Sequence, residues 1–423
     1  MTDTIFALSS GAPPAAIAIV RISGPAAGST LANLCGELPE PRRAVLRTLR
    51  DRSAETLDEA LVLWLPGPAN ATGEDCAELH CHGGRAVVAA VLAELARLPG
   101  LRAAEAGEFT RRAFTNGRLD LAQADALGDL LAAETELQRQ VALAGVGGAL
   151  SVQVTRWRDE VLALAASVEA TLDFADEEDV AELPVAFFRR RGALAAEISA
   201  MLAQPRSERL RDGVRVVLAG PPNSGKSSLF NAIVGESAAI VAASPGTTRD
   251  VIERPVAIGA VPFLLVDTAG LRQEGIGAVE AMGIDRARAQ MARADLVLWL
   301  GPEGAGPAAA IEVQSRCDDP AAMTKRSPDY VVSSVTGSGI AELLSGLVLR
   351  GRELLPRPST ATVNALQAGL LGEARDSLNE SSPDPVMVAE GLRSTRASFD
   401  RLLGYAGVEE MLDVLFARFC IGK

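Results

Sequence analysis

Lysine is nearly missing from this chain of 423 residues: Lys226, Lys325 and Lys423 stand beside 38 arginines. Drift toward arginine codons explains the imbalance, and a lysine surviving it can mark a place where a planar guanidinium does not fit. Histidine is scarcer still, with only His80 and His82. Five scattered cysteines, Cys35, Cys76, Cys81, Cys317 and Cys420, show no C-x-x-C spacing. An odd, dispersed set argues against a disulfide framework and fits a reducing, cytoplasmic setting. Long apolar runs are absent too. Nothing approaches the ~18 residues of a membrane span, and the opening MTDTIFALSSGAPP has no basic stretch of a secretory signal. Positive charge is also short, with Lys+Arg 41 against Asp+Glu 54 and a net charge of −13. Phosphate backbones repel such a chain, so RNA contacts should be local or delivered by a partner. The one basic cluster that stands out is Arg189–Arg191. Cys76, His80, Cys81 and His82 suggest zinc at first sight, but strand alternation sends both histidines to one face and Cys81 to the other. No metal is expected there, and residues 82–84 read as a tight turn.

What is present is ordinary globular material, 48% hydrophobic and 22% charged, of a length for two or three domains. Residues 1–117 read as mixed β and α. AAIAIVRISG (15–24), EALVLWLP (59–66) and AELHCHGG (77–84) look like strands, the last leading into the amphipathic helix 85–98. From residue 118 to 211 the texture is helical, with Val154, Trp157, Val161, Leu164, Val168 and Leu172 forming a buried stripe. Residues 212–348 alternate short apolar strands (RVVLAG, VPFLLVDTAG, ADLVLWL, YVVSSVTG) with helices, as in a parallel α/β sheet. Helical patterning resumes over 349–423, where Leu392, Arg396, Phe399 and Leu403 share one face and Val408, Met411, Leu412, Leu415 and Phe419 another. Neither helical half makes a bundle alone. The expected fold is a multidomain α/β chain whose two helical segments pack together, with an α/β domain inserted between them.

GPPNSGKS (220–227) follows the strand RVVLAG and opens a helix, the context in which G-x-x-x-x-G-K-[ST] binds phosphate. Its backbone N–H groups curve around phosphates, Lys226 reaches the β and γ oxygens, and the Ser227 hydroxyl binds Mg²⁺. GTTRD (246–250) offers a hydroxyl for the metal, and DTAG (267–270) puts a carboxylate near the metal and Gly270 near the γ-phosphate. Ser333 and Ser334 end the last strand, where backbone N–H groups could meet the base. Together these point to a Ras-like P-loop GTPase domain. Leu271 stands where Ras-like enzymes place a water-orienting glutamine, so another group must act. Two candidates are Asn223, helping to hold a monovalent cation, and Glu280, orienting water. The guanine motif N-K-x-D finds its best register at Ser315-Arg316-Cys317-Asp318. Asp318 can accept from guanine, Arg316 can stack on the base, and Ser315 is too short for the usual amide bridge. The rival register, residues 324–327, lacks the acid.

Over nearly its full length the chain resembles the MnmE/TrmE family of tRNA modification GTPases. The resemblance rests on DTIFALSSG, IAIVRISGP, ATGEDCAELHCHGG, AGEFTRRAFTNGRLDLAQADAL, PGTTRD, DTAGLR, VEAMGIDRA and the terminal FCIGK. It implies a folate-binding N-terminal domain (1–117), a helical domain in two segments (118–211 and 349–423) and an inserted G domain (212–348). It also implies potassium-stimulated GTP hydrolysis coupled to dimerisation of G domains in a homodimer. Nucleotide contacts would fall on Asn223, Ser224, Gly225, Lys226, Ser227, Ser228, Thr247, Thr248, Asp267, Gly270, Asp318, Ser333 and Ser334. Ser227 and Thr248 would hold Mg²⁺, Asn223, Ala242, Ser244 and Thr247 would hold K⁺, and Glu280 would orient water. Folate (5-formyl- or methylene-tetrahydrofolate) would meet Arg21, Glu78, Arg118 and Lys423, with Arg118 standing where lysine is common. The implied partner is the FAD-dependent MnmG (GidA), FAD being on that protein alone. The heterotetramer-like complex would modify C5 of the wobble uridine of certain tRNAs, bound mainly through MnmG. Cys420 reads either as a thiol near the one-carbon chemistry or as a small buried apolar residue. Two other functions compete: a GTP-gated assembly or ribosome-associated switch, and a folate-dependent one-carbon enzyme with a regulatory G domain.

Overall fold

Strands and helices follow the hydrophobic periods closely enough that most elements can be explained residue by residue. The structure, a computed structural model, describes residues 3–173, 183–236, 252–268, 288–358, 360–380, 382, 384–406, 409–417, 419, 421 and 422. The chain divides into two compact units, residues 1–128 with 400–423, and residues 129–399. Among the described residues no helix is long and apolar enough to cross a membrane.

The first unit holds strands β1 (Thr4–Leu8), β2 (Ile17–Ser23), β3 (Val45–Arg50), β4 (Thr56–Leu65), β5 (Cys76–His82) and β6 (Leu101–Ala103). Its helices are α1 (Ala27–Cys35), α2 (Arg85–Arg97) and α3 (Glu108–Thr115), with α4 (Leu121–Ala132) beginning in it. The sheet order is β3-β4-β5-β2-β1-β6. All pairings are antiparallel except β1 with β6. Period-two alternation sends Val20, Ile22, Val62, Ala77, Leu79 and Cys81 into a core with Leu31 of α1 and Val91 and Leu95 of α2. The opposite face carries Arg21, Glu78 and His80 beside a smaller cluster of Ile5, Ala7, Ala104 and Phe109.

The chain's last segment completes this unit. Leu412 and Phe416 of α13 (Glu409–Phe416), with Phe419 beyond it, pack on Leu121 and Ala124. The tail then enters the N-terminal domain. Ile421 bridges Ala106, and the Ser9 hydroxyl donates to the Gly422 carbonyl at 2.7 Å. Gly422 has φ +98, and a Cβ there would lie 2.0 Å from the Leu8 carbonyl oxygen. Only glycine tolerates both conditions. Gly422→Ala should therefore unseat the tail, costing about 1–3 kcal/mol. Hydrogen–deuterium exchange would show lost protection around Ala106, and unchanged protection would refute this.

The second unit contains α5 (Glu136–Val146), α6 (Ala149–Asp173), α7 (Val185–Leu202) and α8 (Glu208–Asp212) before its sheet. It contains α10 (Ile340–Leu354), α11 (Ala365–Asn379) and most of α12 (Pro385–Leu403) near or after the sheet's end. Helix α7 lies against α11, and the Trp157 ring of α6 stacks on Phe399 of α12 with centroids 6.1 Å apart. Helical segments before and after the inserted sheet thus share one core. The expected stripe on α6 is buried through Val168, but Leu172 is 38% exposed and Thr171 is buried instead. At 3.6 residues per turn a run of fours drifts off the buried face, and a step of three restores it. The same correction applies on α12: Leu392, Phe399 and Leu403 are buried, while Arg396 is exposed and Thr395 holds the core position. Val408 lies outside the described residues.

The inserted sheet runs β12-β11-β10-β7-β9-β8, from β7 (Val214–Ala219), β8 (Ile252–Ile258), β9 (Val261–Asp267), β10 (Leu296–Trp299), β11 (Ile311–Gln314) and β12 (Tyr330–Val331). Neighbours are parallel except the β8–β9 pair. Val216 and Leu218 of β7 and Val256, Phe263 and Leu265 of the neighbouring strands form a core with Leu229 and Ile233 of α9 (Lys226–Glu236). Short strands suffice here because both faces of a parallel sheet are covered.

Candidate nucleotide site and the face beside the C-terminal tail

Strand β7 is central in its sheet, and the chain leaves its carboxyl end through Gly220–Gly225 before entering α9. This is where open α/β sheets bind ligands. The loop needs unusual backbone: Gly220 has φ +152 and Gly225 φ +86, and Asn223, which is not glycine, has φ +60. Left-handed backbone at asparagine is tolerated better than at most residues. It lets consecutive N–H groups line a concave surface of the kind that holds phosphate. The Lys226 side chain folds back so that Nζ donates to the Pro221 carbonyl at 2.7 Å, and the residue is 7% exposed.

Ser227 and Asp267 meet below this loop. The Ser227 hydroxyl donates to Asp267 Oδ2 at 2.7 Å, and Asp267, at the end of β9, is 1% exposed. An octahedral Mg²⁺ with bonds of about 2.1 Å places adjacent oxygen ligands roughly 3 Å apart. The spacing of this oxygen pair would suit neighbouring ligands of that ion. Thr268 is held by its hydroxyl donating to the Leu218 carbonyl at 2.8 Å, which ties β9 to β7 behind the site.

The segment Ser315–Asp318, following β11, reaches the same loop. Ser315 was expected to be too short for a bridge, but its hydroxyl donates to the Ser224 carbonyl at 2.6 Å. The tertiary approach of the two loops closes the gap that side-chain length alone leaves open. Arg316 adds a bond from Nη1 to the Asn223 carbonyl at 3.3 Å. Lys325, of the rival register, is a buried structural ion: Nζ donates to the Trp299 carbonyl at 2.7 Å and pairs with Glu312.

Ser333 departs from expectation as well. Its backbone N–H donates to the Ser338 carbonyl at 2.9 Å, and its hydroxyl accepts from the amides of Val335 and Thr336. The neighbouring Ser333 hydroxyl is the main influence holding the Asp318 carboxyl below its ordinary range. Ala242, Ser244, Thr247, Thr248, Gly270 and Glu280 lie outside the described residues.

In the first unit, Arg21 and Glu78 are direct cross-strand neighbours on β2 and β5. Arg21 Nε and Nη2 both donate to Glu78 Oε1, at 3.0 and 2.9 Å, and the guanidinium lies 5.7 Å from the Phe109 ring centroid. His80 Nε2 contacts Glu78 Oε2 at 3.1 Å. His80 was not singled out beforehand as a site residue, although its i+2 position from Glu78 puts it on the same face. Arg118 is fixed by Nε donating to the Asn70 carbonyl at 3.0 Å, and Asn70 organises its own turn by accepting from the amides of Thr72 and Gly73. Since β1 pairs Ala7 with Arg21, the Ile421–Gly422 tail seated at Leu8 and Ser9 runs beside this face. Cys420 and Lys423 lie outside the described residues.

Comparison with known proteins agrees across both units. Residues 4–118 match the family described as GTP-binding protein TrmE N-terminus, and residues 121–420 match the MnmE helical domain. The chain is 58% identical over 423 residues to the tRNA modification GTPase MnmE of Erythrobacter litoralis, covering all of both chains. It is 55% identical over 437 residues, again covering all of both, to the protein of that name from Novosphingobium aromaticivorans. Among solved structures, the G domain of the T. maritima FeoB iron transporter matches 32% of this chain and 98% of its own, at 28% identity and a TM-score of 0.24. That score is too low to bear on function. With the full-length identities and both family matches in agreement, the chain belongs to the MnmE family of tRNA modification GTPases.

Proposed function

We propose that this chain is a GTP hydrolase that works in tRNA modification. The observation that carries the reading is the convergence on one loop of Lys226, the Ser227–Asp267 pair and the Ser315–Asp318 segment. The phosphates of GTP would lie on residues 223–228, with Lys226 turning from the Pro221 carbonyl to the β and γ oxygens. Ser227, Asp267 and Thr248 would hold Mg²⁺, which supplies neutralisation of developing phosphate charge. Asp318 would read the guanine edge, and Ser334 would donate to it. Asn223 with Ala242, Ser244 and Thr247 would hold K⁺ where an arginine finger would otherwise act. Glu280 would orient the attacking water in place of Leu271, and hydrolysis would accompany pairing of G domains in a homodimer.

The finer reading places folate on Arg21, Glu78, Arg118 and Lys423. Glu78, accepting from Arg21 and facing His80, suits the N–H edge of a pterin, and the cationic residues suit an acidic tail. With the FAD-dependent partner MnmG, the chain would modify C5 of the wobble uridine using one carbon from that folate, in the cytoplasm. A net charge of −13 leaves most tRNA phosphate contacts to the partner. The domain division expected from sequence, 1–117, 118–211 with 349–423, and 212–348, belongs to this reading.

GTP turnover in potassium and then sodium at equal ionic strength, with Mg²⁺ throughout and ATP as control, tests the first part. A rate confined to GTP and raised at least tenfold by potassium is expected from a cation stabilising the transition state. Equal rates in both salts would remove the K⁺ assignment, and equal use of ATP would remove the guanine one. Nucleoside analysis of a deletion strain tests the second, since unchanged wobble uridines would leave only a GTP-gated switch.

A further inference from the structure

Asp319, directly after the base-reading segment, carries no role in the reading above, yet it is the hub of the turn that positions Arg316. Its Oδ2 pairs with Arg316 Nη2. Its Oδ1 accepts from the Ala321 amide at 2.9 Å, its own N–H donates to the Arg316 carbonyl at 3.0 Å, and its carbonyl accepts from the Ala322 amide at 2.9 Å. Arg316 meanwhile has φ +57, a left-handed conformation that persists at a non-glycine residue only where surroundings over-determine it. The two ends of its guanidinium are held separately, one by Asp319 and the other by the Asn223 carbonyl at 3.3 Å. A cavity of about 200 Å³ is lined by both the turn and the phosphate loop, and hydrogen bonds from Ser315 and Arg316 link the two.

A lysine at position 316 would offer a point charge with rotational freedom. Arginine offers a flat cation whose faces remain available for a purine once its edges are engaged. We propose that Asp319 is a positioning residue for nucleotide recognition, locking the Arg316 guanidinium edge-on so that its face stacks on guanine while Nη1 steadies Asn223. The inference rests on the reading of Ser315–Asp318 as the guanine-recognition segment. Asp319 touches neither base nor phosphate in this scheme and acts only through Arg316. The pair is half exposed in the free protein, with side chains 50% and 29% accessible, and a stacked base would shield it from solvent.

The test uses the full-length chain and a fluorescent GDP analogue. Asp319→Asn, which keeps size and loses charge, should raise the Kd about 3–10-fold, with KM for GTP rising in step and kcat at saturation within about twofold. Arg316→Ala should raise it at least as much, and the double variant should be no worse than Arg316→Ala alone. A fully additive double variant, or an Asp319→Asn protein that binds like the parent, would overturn the proposal. Asp318→Asn separates the two levels of the argument. Its amide should weaken GDP binding and favour the xanthosine diphosphate, whose O2 accepts where guanine donates. If Asp318→Asn behaves so and Asp319→Asn does not, the positioning role alone falls. If Asp318→Asn leaves GDP binding intact, the base-reading assignment falls and the role of Asp319 with it.

Discussion

Replacing Lys226 with alanine is expected to lower kcat/KM for GTP by about 10²–10³-fold, with the fold intact. The ammonium is one of three in the chain and is almost fully enclosed, with its hydrogen bond to the Pro221 carbonyl folding it over the loop that the phosphates would occupy. In that enclosure a positive charge facing the β–γ bridge is shielded little by water, so its loss is felt at the transition state more than in binding. Lys226→Arg should fail to rescue. A guanidinium is wider than the ammonium and needs in-plane partners, and this position carries one of only three lysines in an arginine-rich chain. Steady-state phosphate release, together with a binding titration and a thermal melt, would check this. Turnover within tenfold of the parent would mean that the loop is not the catalytic phosphate site.

Arg112→Met should be the most destabilising single change in the first unit, by about 3–5 kcal/mol. The Arg112 side chain is wholly buried and joins four parts of the N-terminal domain. Nη1 donates to the Asp3 and Ser23 carbonyls and to Glu74 Oε1, and Nη2 donates to Asp3 Oδ1 and Glu108 Oε1. Its Nε is buried without a partner among the described residues, so the arginine already carries one desolvated donor. The net value of the cluster is therefore less than its bonds suggest, but deleting the cation removes the charge that Glu74 and Glu108 share. For a unit of this size the loss corresponds to roughly 6–20 °C in Tm.

The pH dependence of the two proteins should differ in a definite direction. Burial pushes the Glu108 carboxyl up, but hydrogen bonds from Arg102, the Glu105 amide and Arg112 outweigh it and hold the carboxyl below its ordinary value of 4.5. Asp3 is lowered in the same way, burial being outweighed mainly by Arg102. A depressed folded-state pKa means stability present above the unfolded value and lost as pH falls through the folded one. The parent should lose stability on acidification below about pH 4.5, and the gap to Arg112→Met should narrow there. Parallel curves from neutral to acid pH would show that the carboxylates do not depend on Arg112.

The phosphate loop was legible because its chemistry is local. Glycines at fixed spacing after an apolar strand specify a backbone shape, and Lys226 and Ser227 follow within two residues. Strands β2, β4 and β5 were legible from alternation, whereas β1 and β3 were not singled out. Strand β1 is buried on both faces from Thr4 to Ala7, and β3 is an edge strand with only Leu49 buried, so neither shows a period of two. Leu172 and Arg396 were placed on buried faces by counting fours, and the helix turned them outward.

What the amino-acid sequence determined by itself was therefore the set of local devices: the left-handed turns, the apolar periods, and the residue types able to hold phosphate, magnesium and guanine. Only the tertiary structure decided how these meet. Ser315 reaches Ser224 because two loops 91 residues apart approach within a hydroxyl's length. The Ser333 amide is taken by the Ser338 carbonyl and its hydroxyl by the amides of Val335 and Thr336. Gly422 lies on Leu8 because the C-terminal tail packs beside β1, where Ser9 holds its carbonyl. Hydrogen bonds of this kind depend on distances of tenths of an ångström between segments remote in sequence, and packing of the whole core sets those distances.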